Sequence, residues 1–212
     1  MNAQTERLHL AGAAGIIETA IDRPAADVPA RGTAVIAHPH PLFGGTLDNK
    51  VVQTLARAFV QCGWTAVRFN FRGVGASAGT YDEGRAEADD LRAVIAQAAP
   101  DGPLALAGFS FGSVVMSHVL HGLWRTRPVE KIVFVGTAAS RFTVADVPPE
   151  AHLRTLVVHG EADDTVPLAD AMAWARPQTL PVTVVPAGGH FFHGQLPLLK
   201  GLVVRHLLSP AA

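Results

Sequence analysis

Short apolar segments alternate with helical patterns along most of this chain, and this alternation limits the possible folds more than any other feature. From Gly32 onward, six short apolar runs are separated by stretches of helical or loop-forming character. The predicted strands cover residues 33–37, 65–69, 104–107, 131–135, 155–158 and 182–185, and the predicted helices cover residues 48–62, 84–98, 112–124, 168–175 and 195–208. Continuous apolar strands between helices are typical of a parallel sheet that is buried on both faces. The sequence therefore predicts an α/β fold with a mostly parallel central sheet and helices on both faces.

The residues before this alternation have a different pattern. Residues 6–22 alternate loosely between apolar and polar side chains around a glycine-containing turn at 12–15, which predicts an antiparallel pair of strands. At 212 residues the chain is long enough for one complete core, since a domain of this size buries about 70% of its unfolded surface. We therefore expect residues 1–212 to form a single domain.

Charge and cysteine content exclude several classes of protein. The formal net charge is −1 and no cluster of lysine or arginine marks a basic face, so nucleic acid is not an expected partner. Cys62 is the single cysteine, which excludes an internal disulfide and a zinc site of paired cysteines, and its helical context predicts a buried thiol. The first residues do not have the basic start and apolar centre of a signal peptide, and no apolar run approaches a membrane span. These features predict a cytoplasmic protein without a membrane partner.

One serine lies between a predicted strand and a predicted helix. Ser110 stands at the centre of a Gly-x-Ser-x-Gly pattern that begins at Gly108 and ends at Gly112. A sharp strand-to-helix turn leaves no room for a Cβ atom at the two glycines, and it places the serine oxygen near the positive end of the following helix. The pattern therefore predicts that Ser110 is a nucleophile whose partners come from elsewhere in the chain.

The loop after the first predicted parallel strand contains two His-Pro pairs at residues 38–41. Ligands bind beyond the carboxyl ends of the strands in sheets of this kind, so main-chain N–H groups of this loop are candidates for an oxyanion hole. Because proline has no N–H, His40 is the expected donor from this loop, with Leu42 as the alternative, and Phe111 is the expected second donor. A metal held by His38 and His40 is a less favoured alternative, since no nearby carboxylate or cysteine completes such a site.

The loop after the next predicted strand permits a different function. Gly73, Gly75 and Ala78 satisfy the loose form of the dinucleotide-binding fingerprint. That fingerprint opens a helix directly, whereas residues 79–84 continue as a loop and no acidic residue ends the following strand, so a nucleotide-dependent oxidoreductase is less favoured. Arg72 is interpreted as a structural tie, with a direct substrate or oxyanion role as the alternative.

A carboxylate and a histidine follow the last two predicted strands. A serine nucleophile needs a base, and the base needs a buried carboxylate that fixes its tautomer. Asp163 and Asp164 both follow the fifth strand of the series, but adjacent side chains point in different directions. We favour Asp163 for the buried role and expect Asp164 to cap the next helix. A Gly-Gly-His sequence after the final strand makes His190 the expected base, and His193 is interpreted as a surface or helix-start residue.

Three motifs together resemble the α/β-hydrolase superfamily. They are Gly-Phe-Ser-Phe-Gly at 108–112, which looks like the nucleophile elbow, His-Gly-x-x-Asp-x-x-Val-Pro at 159–167, which looks like the acid loop, and Gly-Gly-His at 188–190, which looks like the histidine loop. The resemblance covers residues 32–208 and implies Ser110, Asp163 and His190 as a catalytic triad.

Two further loops resemble a narrower group. The sequences at 38–50 and 68–75 are similar to those of a small bacterial subfamily of lidless serine hydrolases related to dienelactone hydrolases and carboxylesterases. Dienelactone hydrolase itself has cysteine at the elbow, so the serine at position 110 argues against that activity. The segment between the predicted strands 131–135 and 155–158 is too short for a helical cap, and an open pocket is therefore expected.

The expected reaction is hydrolysis of a small carboxylic ester through an acyl-enzyme, which requires no cofactor and no metal. A thioester or an amide uses the same groups. The side chains expected to contact the substrate are Leu42, Phe43, Phe109 and Phe191. An alternative from a different class is a binding or scaffold protein that keeps the fold without the activity.

Overall fold

Strands and helices alternate along the chain as its apolar pattern predicts. The computed structural model describes residues 5–210. The strands are β1 (Glu6–Gly12), β2 (Gly15–Asp22), β3 (Gly32–Ala37), β4 (Trp64–Phe69), β5 (Leu104–Phe109), β6 (Val129–Val135), β7 (Thr155–Gly160) and β8 (Val182–Val185). The α-helices are α1 (Lys50–Gln61), α2 (Arg85–Ala98), α3 (Phe111–Leu123), α4 (Leu168–Ala175) and α5 (Leu196–Leu208). Short 3-10 segments lie at Pro41–Phe43, Pro149–Arg154 and Arg176–Gln178.

All of these strands belong to one sheet, in the order β1-β2-β4-β3-β5-β6-β7-β8. β1 and β2 form the expected antiparallel pair, β2 is also antiparallel to β4, and the other neighbours are parallel. In the centre of the sheet, Val35 lies opposite Val67 on one side and Leu106 on the other. The parallel arrangement brings the carboxyl ends of β3 to β8 to the same edge of the sheet.

Both faces of the sheet are covered at its centre, which explains why the central strands β3 and β5 are almost entirely apolar. In β3, Ala34 and Ile36 face the core beneath α1 and α5, whereas Val35 and Ala37 face the core beneath α2 and α3. All of these side chains are buried. Consecutive residues of a strand point to opposite faces, so a strand buried on both sides must be apolar at every position.

Helix α1 shows how the sequence directs an element to one face. Its N-cap Asn49 accepts hydrogen bonds from the N–H groups of the first turn, at 2.9 Å from the Val51 nitrogen. Val51, Leu55 and Phe59 recur at a spacing of four and are fully buried, and burial of each side chain contributes about 1.5–3 kcal/mol. Cys62 ends the helix and is buried, as its context predicts.

Several strands are longer than predicted, among them β6, which begins two residues earlier, at Val129. β5 and β7 each extend two residues further and end at Phe109 and Gly160. Gly108 and Gly160 weaken the apparent strand pattern, yet each lies where a Cβ atom would collide with backbone. The extension of β5 brings Ser110 directly after a strand.

The segment between β6 and β7 contains no cap domain. In residues 136–154, which the structure describes fully, the regular element is the 3-10 segment Pro149–Arg154. The prediction of a lidless fold is confirmed. None of the helices within residues 5–210 is long and apolar enough to cross a membrane.

Candidate active site

Ser110 lies in a tight turn between β5 and α3. Its backbone has φ 55° and ψ −117°, a conformation rarely adopted by residues other than glycine. A Cβ atom at Gly108 would lie 2.6 Å from the Ser113 nitrogen, and one at Gly112 would lie 2.4 Å from the Ala37 oxygen. The turn therefore requires both glycines, and the strained serine, which costs about 1–3 kcal/mol, is maintained by the packing around it.

His190 connects this serine to a carboxylate. Its Nε2 lies 3.0 Å from Ser110 Oγ, and its Nδ1 lies 2.7 Å from Asp163 Oδ2. All of these side chains are buried. Because a carboxylate accepts the Nδ1–H, the proton of the neutral ring is on Nδ1 and Nε2 is free to accept the serine proton. The structure thus brings together the three residues predicted from separate parts of the sequence.

The carboxylate of Asp163 is held by more than the histidine. Its Oδ1 accepts hydrogen bonds from the backbone nitrogens of Thr165 at 3.0 Å and Val166 at 2.7 Å. Burial tends to raise the pKa of Asp163, but the hydrogen bonds from His190 and Val166 outweigh it and the pKa is lowered overall. The carboxylate therefore stays ionised, as stabilisation of a charged imidazole requires.

Asp164 does not have the capping role that we expected. Its side chain is exposed and accepts from the Thr165 hydroxyl at 3.3 Å, and α4 begins after Pro167 without a side-chain cap. In the turn that precedes α4, the backbone N–H groups of Thr165 and Val166 donate to Asp163 Oδ1 instead. The acid that orients His190 therefore also caps this turn. The expectation for Asp164 was wrong.

A second histidine contacts the acid and was not singled out from the sequence. His159, at the end of β7, is fully buried, and its Nε2 lies 2.9 Å from the Val166 carbonyl and 3.5 Å from Asp163 Oδ2. Both neighbours are acceptors, so Nε2 carries the proton and points it at the acid loop. Its Nδ1 is buried without a partner among residues 5–210. The sequence feature that could have identified His159 is its position: it is a polar residue at the end of an apolar strand, four positions before Asp163.

His38 connects the loop after β3 to the loop after β4. Its Nε2 accepts from the Phe71 nitrogen at 3.0 Å, so its Nδ1 is protonated and donates to the Pro39 carbonyl at 2.6 Å. Burial lowers the pKa of His38 to about 4, and the ring is neutral. Because the backbone uses both ring nitrogens, His38 cannot serve as the metal ligand weighed in the alternative.

The two candidate oxyanion donors of this loop differ in their hydrogen-bond partners. The Leu42 N–H, the alternative donor, is directed to Nδ1 of His40 at 3.2 Å. The His40 N–H has no protein acceptor within residues 5–210, and Phe111 is the first residue of α3, where N–H groups have no helical partner. The rings of His40 and Phe111 lie 5.0 Å apart, so the segments that carry these two N–H groups are in contact beside Ser110.

A cavity of about 350 Å³ opens beside Ser110 and His190. Phe43 and Phe191 line it, as expected, together with His40 and Phe111. The remaining lining residues are Pro39, Gly44, Gly45, Asn49, Ala138, Arg141, Phe142, Thr165 and Val166. Aromatic rings and small residues therefore surround the reacting atoms on the side away from the sheet.

Two residues expected in the cavity lie elsewhere. Leu42 is 66% exposed and points away from the lining, because the 3-10 turn at Pro41–Phe43 directs consecutive side chains to different sides. Phe109 is fully buried in the core beneath α1 and α5, with its ring 4.9 Å from that of His190. As the last residue of β5 it points into the sheet side of the site, so it supports the histidine instead of contacting a ligand. His193 is exposed, as interpreted from the sequence.

The glycine-rich loop after β4 is tied to β2 by its own backbone. Glu18 Oε2 accepts from the Ala76 nitrogen at 2.9 Å, and the Ala78 nitrogen donates to the Ile16 carbonyl at 2.9 Å. The next helix, α2, begins at Arg85. A phosphate-binding loop needs free N–H groups at a helix N-terminus, so this geometry argues against the dinucleotide alternative.

Arg72 is a structural tie. Its Nε and Nη2 bind the two carboxylate oxygens of Asp90 at 2.9 Å and 2.7 Å, and its backbone nitrogen binds the same residue at 3.0 Å. Asp90 is buried on α2, so the pair fixes the loop after β4 to that helix.

Comparison with known proteins agrees with this architecture. Residues 30–142, just over half of the chain, match the family described as serine aminopeptidase, S33. An α/β serine hydrolase without a lid from Xanthomonas campestris is 35% identical, with 98% of this chain and 95% of that chain covered and a TM-score of 0.86. This chain belongs to the α/β-hydrolase superfamily. It is a lidless member, as the resemblance of residues 38–50 and 68–75 to lidless serine hydrolases implies.

Two other proteins are similar to this α/β-hydrolase. An α/β serine hydrolase homologue from Coxiella burnetii is 37% identical over 96% of this chain and 97% of that chain, with a TM-score of 0.81. An uncharacterized protein of Rickettsia prowazekii is 42% identical over 84 residues, which are 38% of this chain and 35% of that protein. The match thus spans about a third of the length of that curated relative.

Proposed function

We propose that this α/β-hydrolase is a serine esterase that cleaves small carboxylic esters through an acyl-enzyme. One observation carries the proposal: a continuous hydrogen-bonded series from Asp163 to His190, at 2.7 Å, and from His190 to Ser110, at 3.0 Å, beside an open cavity. A buried carboxylate, a histidine whose Nδ1 faces that carboxylate and a serine on a strained turn are together the components of acyl transfer.

In the first half of the reaction, Ser110 Oγ attacks the ester carbonyl while His190 Nε2 takes its proton. The tetrahedral intermediate collapses as the protonated His190 gives that proton to the departing alcohol, which leaves the acyl group on Ser110. In the second half, water takes the place of the alcohol and attacks the acyl carbonyl while His190 removes its proton. The second tetrahedral intermediate collapses, the carboxylic acid leaves, and His190 returns the proton to Ser110 Oγ. Asp163 remains ionised throughout and stabilises the imidazolium form.

Charge that develops on the carbonyl oxygen needs fixed donors. The N–H groups of His40 and Phe111 are the proposed pair, and each such donor contributes about 3 kcal/mol to the stabilisation of the transition state. Phe111 begins α3, whose positive end adds to this stabilisation. The two His-Pro pairs restrict the backbone around His40, which keeps its donor oriented before the substrate binds.

The cavity supports short-chain or small aromatic esters as substrates. Its size is that of a small ligand, and its walls are largely aromatic, with Phe43 76% exposed at the mouth. Because no cap covers the opening, one end of the substrate can extend into solvent. A thioester is a possible variant of the same chemistry.

Hydrolysis of p-nitrophenyl acetate, butyrate and octanoate tests this proposal. We expect saturable turnover by the native chain and a loss of at least about 1000-fold in kcat in Ser110→Ala. Ser140→Ala, which removes an exposed serine from the loop after β6, is the matched control and should retain full activity. Equal residual activity in Ser110→Ala and the native chain contradicts the proposal, and inactivity toward all esters favours a binding protein.

A further inference from the structure

The cavity beside Ser110 carries a positive charge that the esterase mechanism does not use. Arg141 lines this cavity, and among residues 5–210 no aspartate or glutamate does. The guanidinium is exposed and makes no ion pair or side-chain hydrogen bond with any other residue in the described part of the chain. The fixed charge available to a bound ligand is therefore cationic.

The backbone that carries Arg141 is held in place. The nitrogens of Arg141 and Phe142 both donate to the Ala138 carbonyl at 3.3 Å, which closes a turn directly after β6. Ala138 packs in a small buried cluster with Val114 of α3 and Val166 of the acid loop. The turn is thus anchored to the same elements that carry the serine and the acid.

Aromatic contacts place this turn against the proposed oxyanion loop. The ring of Phe142 lies 5.2 Å from that of Phe111 and 5.8 Å from that of His40. Burial lowers the pKa of His40, and the positive charge of Arg141 lowers it further. The guanidinium therefore acts electrostatically on His40, and both residues line the cavity that contains Ser110.

The carboxylates of Asp163 and Asp170 do not neutralise this charge. Asp163 is turned away from the cavity and is occupied by His190 and two backbone nitrogens. Asp170 lies with Arg141 on a neighbouring groove, but no contact within 4.0 Å joins them. An anion in the cavity thus meets a guanidinium that is not already neutralised, with planar donors suited to a carboxylate.

We propose that Arg141 binds a carboxylate of the substrate, so that this esterase prefers small esters that carry a free carboxylate. The inference rests on the proposed function and specifies its substrate class. A substrate with a free ammonium group is disfavoured by the same charge, which separates this site from that of an enzyme acting on peptide amino termini.

Matched substrates test the charge preference. The p-nitrophenyl monoester of glutaric acid is compared with the p-nitrophenyl ester of its methyl half-ester and with p-nitrophenyl 5-aminopentanoate. We expect the native chain to favour the anionic ester by about tenfold in kcat/KM, and added salt to reduce this advantage. Arg141→Gln should lose the preference for the anionic ester over the neutral one, and Arg141→Glu should favour the cationic ester. Arg176→Gln, an exposed arginine beyond α4, is the control and should keep the native preference.

A binding measurement separates this inference from the proposed function. Monomethyl glutarate is titrated into Ser110→Ala and into Ser110→Ala/Arg141→Gln by ligand-observed NMR, which requires no turnover. About tenfold weaker binding in the double variant supports the assignment of Arg141. Unchanged binding and an unchanged substrate ratio overturn it, even if neutral esters are hydrolysed through Ser110. If binding depends on Arg141 but the native chain hydrolyses no ester, the anion site is supported and the proposed esterase activity is contradicted.

Discussion

At the scale of single residues, the site depends on which of two adjacent acids is turned inward. Asp163 is buried and accepts from His190 and from two backbone nitrogens, whereas Asp164 is exposed. Sequence reasoning selected Asp163 because neighbouring side chains diverge and the base needs a buried carboxylate. It did not identify that the same carboxylate also caps the turn before α4, since that depends on the course of the backbone.

Asp163→Asn should reduce kcat by about four orders of magnitude, because the amide no longer fixes the proton of His190 on Nδ1 or stabilises the imidazolium. Initial rates on a p-nitrophenyl ester provide the measurement. Asp164→Asn is the matched control and should stay within about twofold of the native rate. Similar losses in both variants, or a larger loss in Asp164→Asn, would reverse the assignment.

The tight turn that holds Ser110 at positive φ depends on the small size of Gly108, and substitution of this glycine tests that dependence. A Cβ atom at Gly108 meets the backbone nitrogen of Ser113 at 2.6 Å, and backbone cannot move as a flexible side chain can. Gly108→Ala should therefore lower the free energy of unfolding by at least about 2 kcal/mol. Urea denaturation measures this quantity.

Gly122→Ala is the control for that change. Gly122 lies near the end of α3, and a Cβ atom there meets nothing within 4 Å. Alanine in a helix is favoured over glycine by about 0.5–1 kcal/mol, so Gly122→Ala should stabilise the protein slightly. If Gly108→Ala and Gly122→Ala change the free energy of unfolding in the same direction, the backbone clash at Gly108 does not limit the turn.

At the scale of elements, the buried His38 and the half-buried His206 join loops and helices that are distant in sequence. His38 connects the loops after β3 and β4, and His206 of α5 lies with its Nε2 3.1 Å from the Arg154 carbonyl before β7. Burial lowers the pKa of each to about 4, against about 6.5 in the unfolded chain. Both rings are therefore neutral in the folded protein at pH values where the unfolded chain is protonated.

The free energy of unfolding should fall as the pH is lowered from about 6.5 to about 4. Over this range the unfolded chain binds protons at these histidines and the folded protein does not, so each contributes up to about 1.4 kcal/mol per pH unit, and the stabilisation is complete above pH 6.5. Urea titrations at intervals between pH 7.5 and 4.5 measure the slope. His206→Gln, which can still donate to the Arg154 carbonyl, should make the slope shallower, and an unchanged slope would show that His206 is not buried as a neutral ring.

Helix and strand positions were largely predictable, whereas the orientation of particular side chains was not. The apolar runs of the central strands β3 and β5 arise because both sheet faces are buried there, and this pattern can be recognised locally in the sequence. The roles of Phe109 and His159 depend on which side of the sheet a strand-end residue faces and on what packs there. Arg141 lies in a loop with no repeating pattern, so its position in the cavity was visible only in the folded chain.

At the scale of the whole molecule, the sheet brings together groups that are far apart along the chain. Ser110 follows β5, Asp163 follows β7 and His190 follows β8, and these strands run parallel with their carboxyl ends at one edge. The order serine, acid, histidine is thus a consequence of the topology. Without a cap between β6 and β7, access to the cavity does not require the movement of a lid.

Covalent labelling with a fluorophosphonate tests most directly whether His190 and Asp163 make Ser110 a nucleophile. Intact-protein mass spectrometry should show one phosphonyl group added to the native chain, and peptide mapping should assign it to Ser110. The Ser110→Ala variant should remain unlabelled, and Asp163→Asn should label far more slowly than the native chain. Labelling of Ser110→Ala at the native rate, or a native chain that stays unlabelled, would contradict the account.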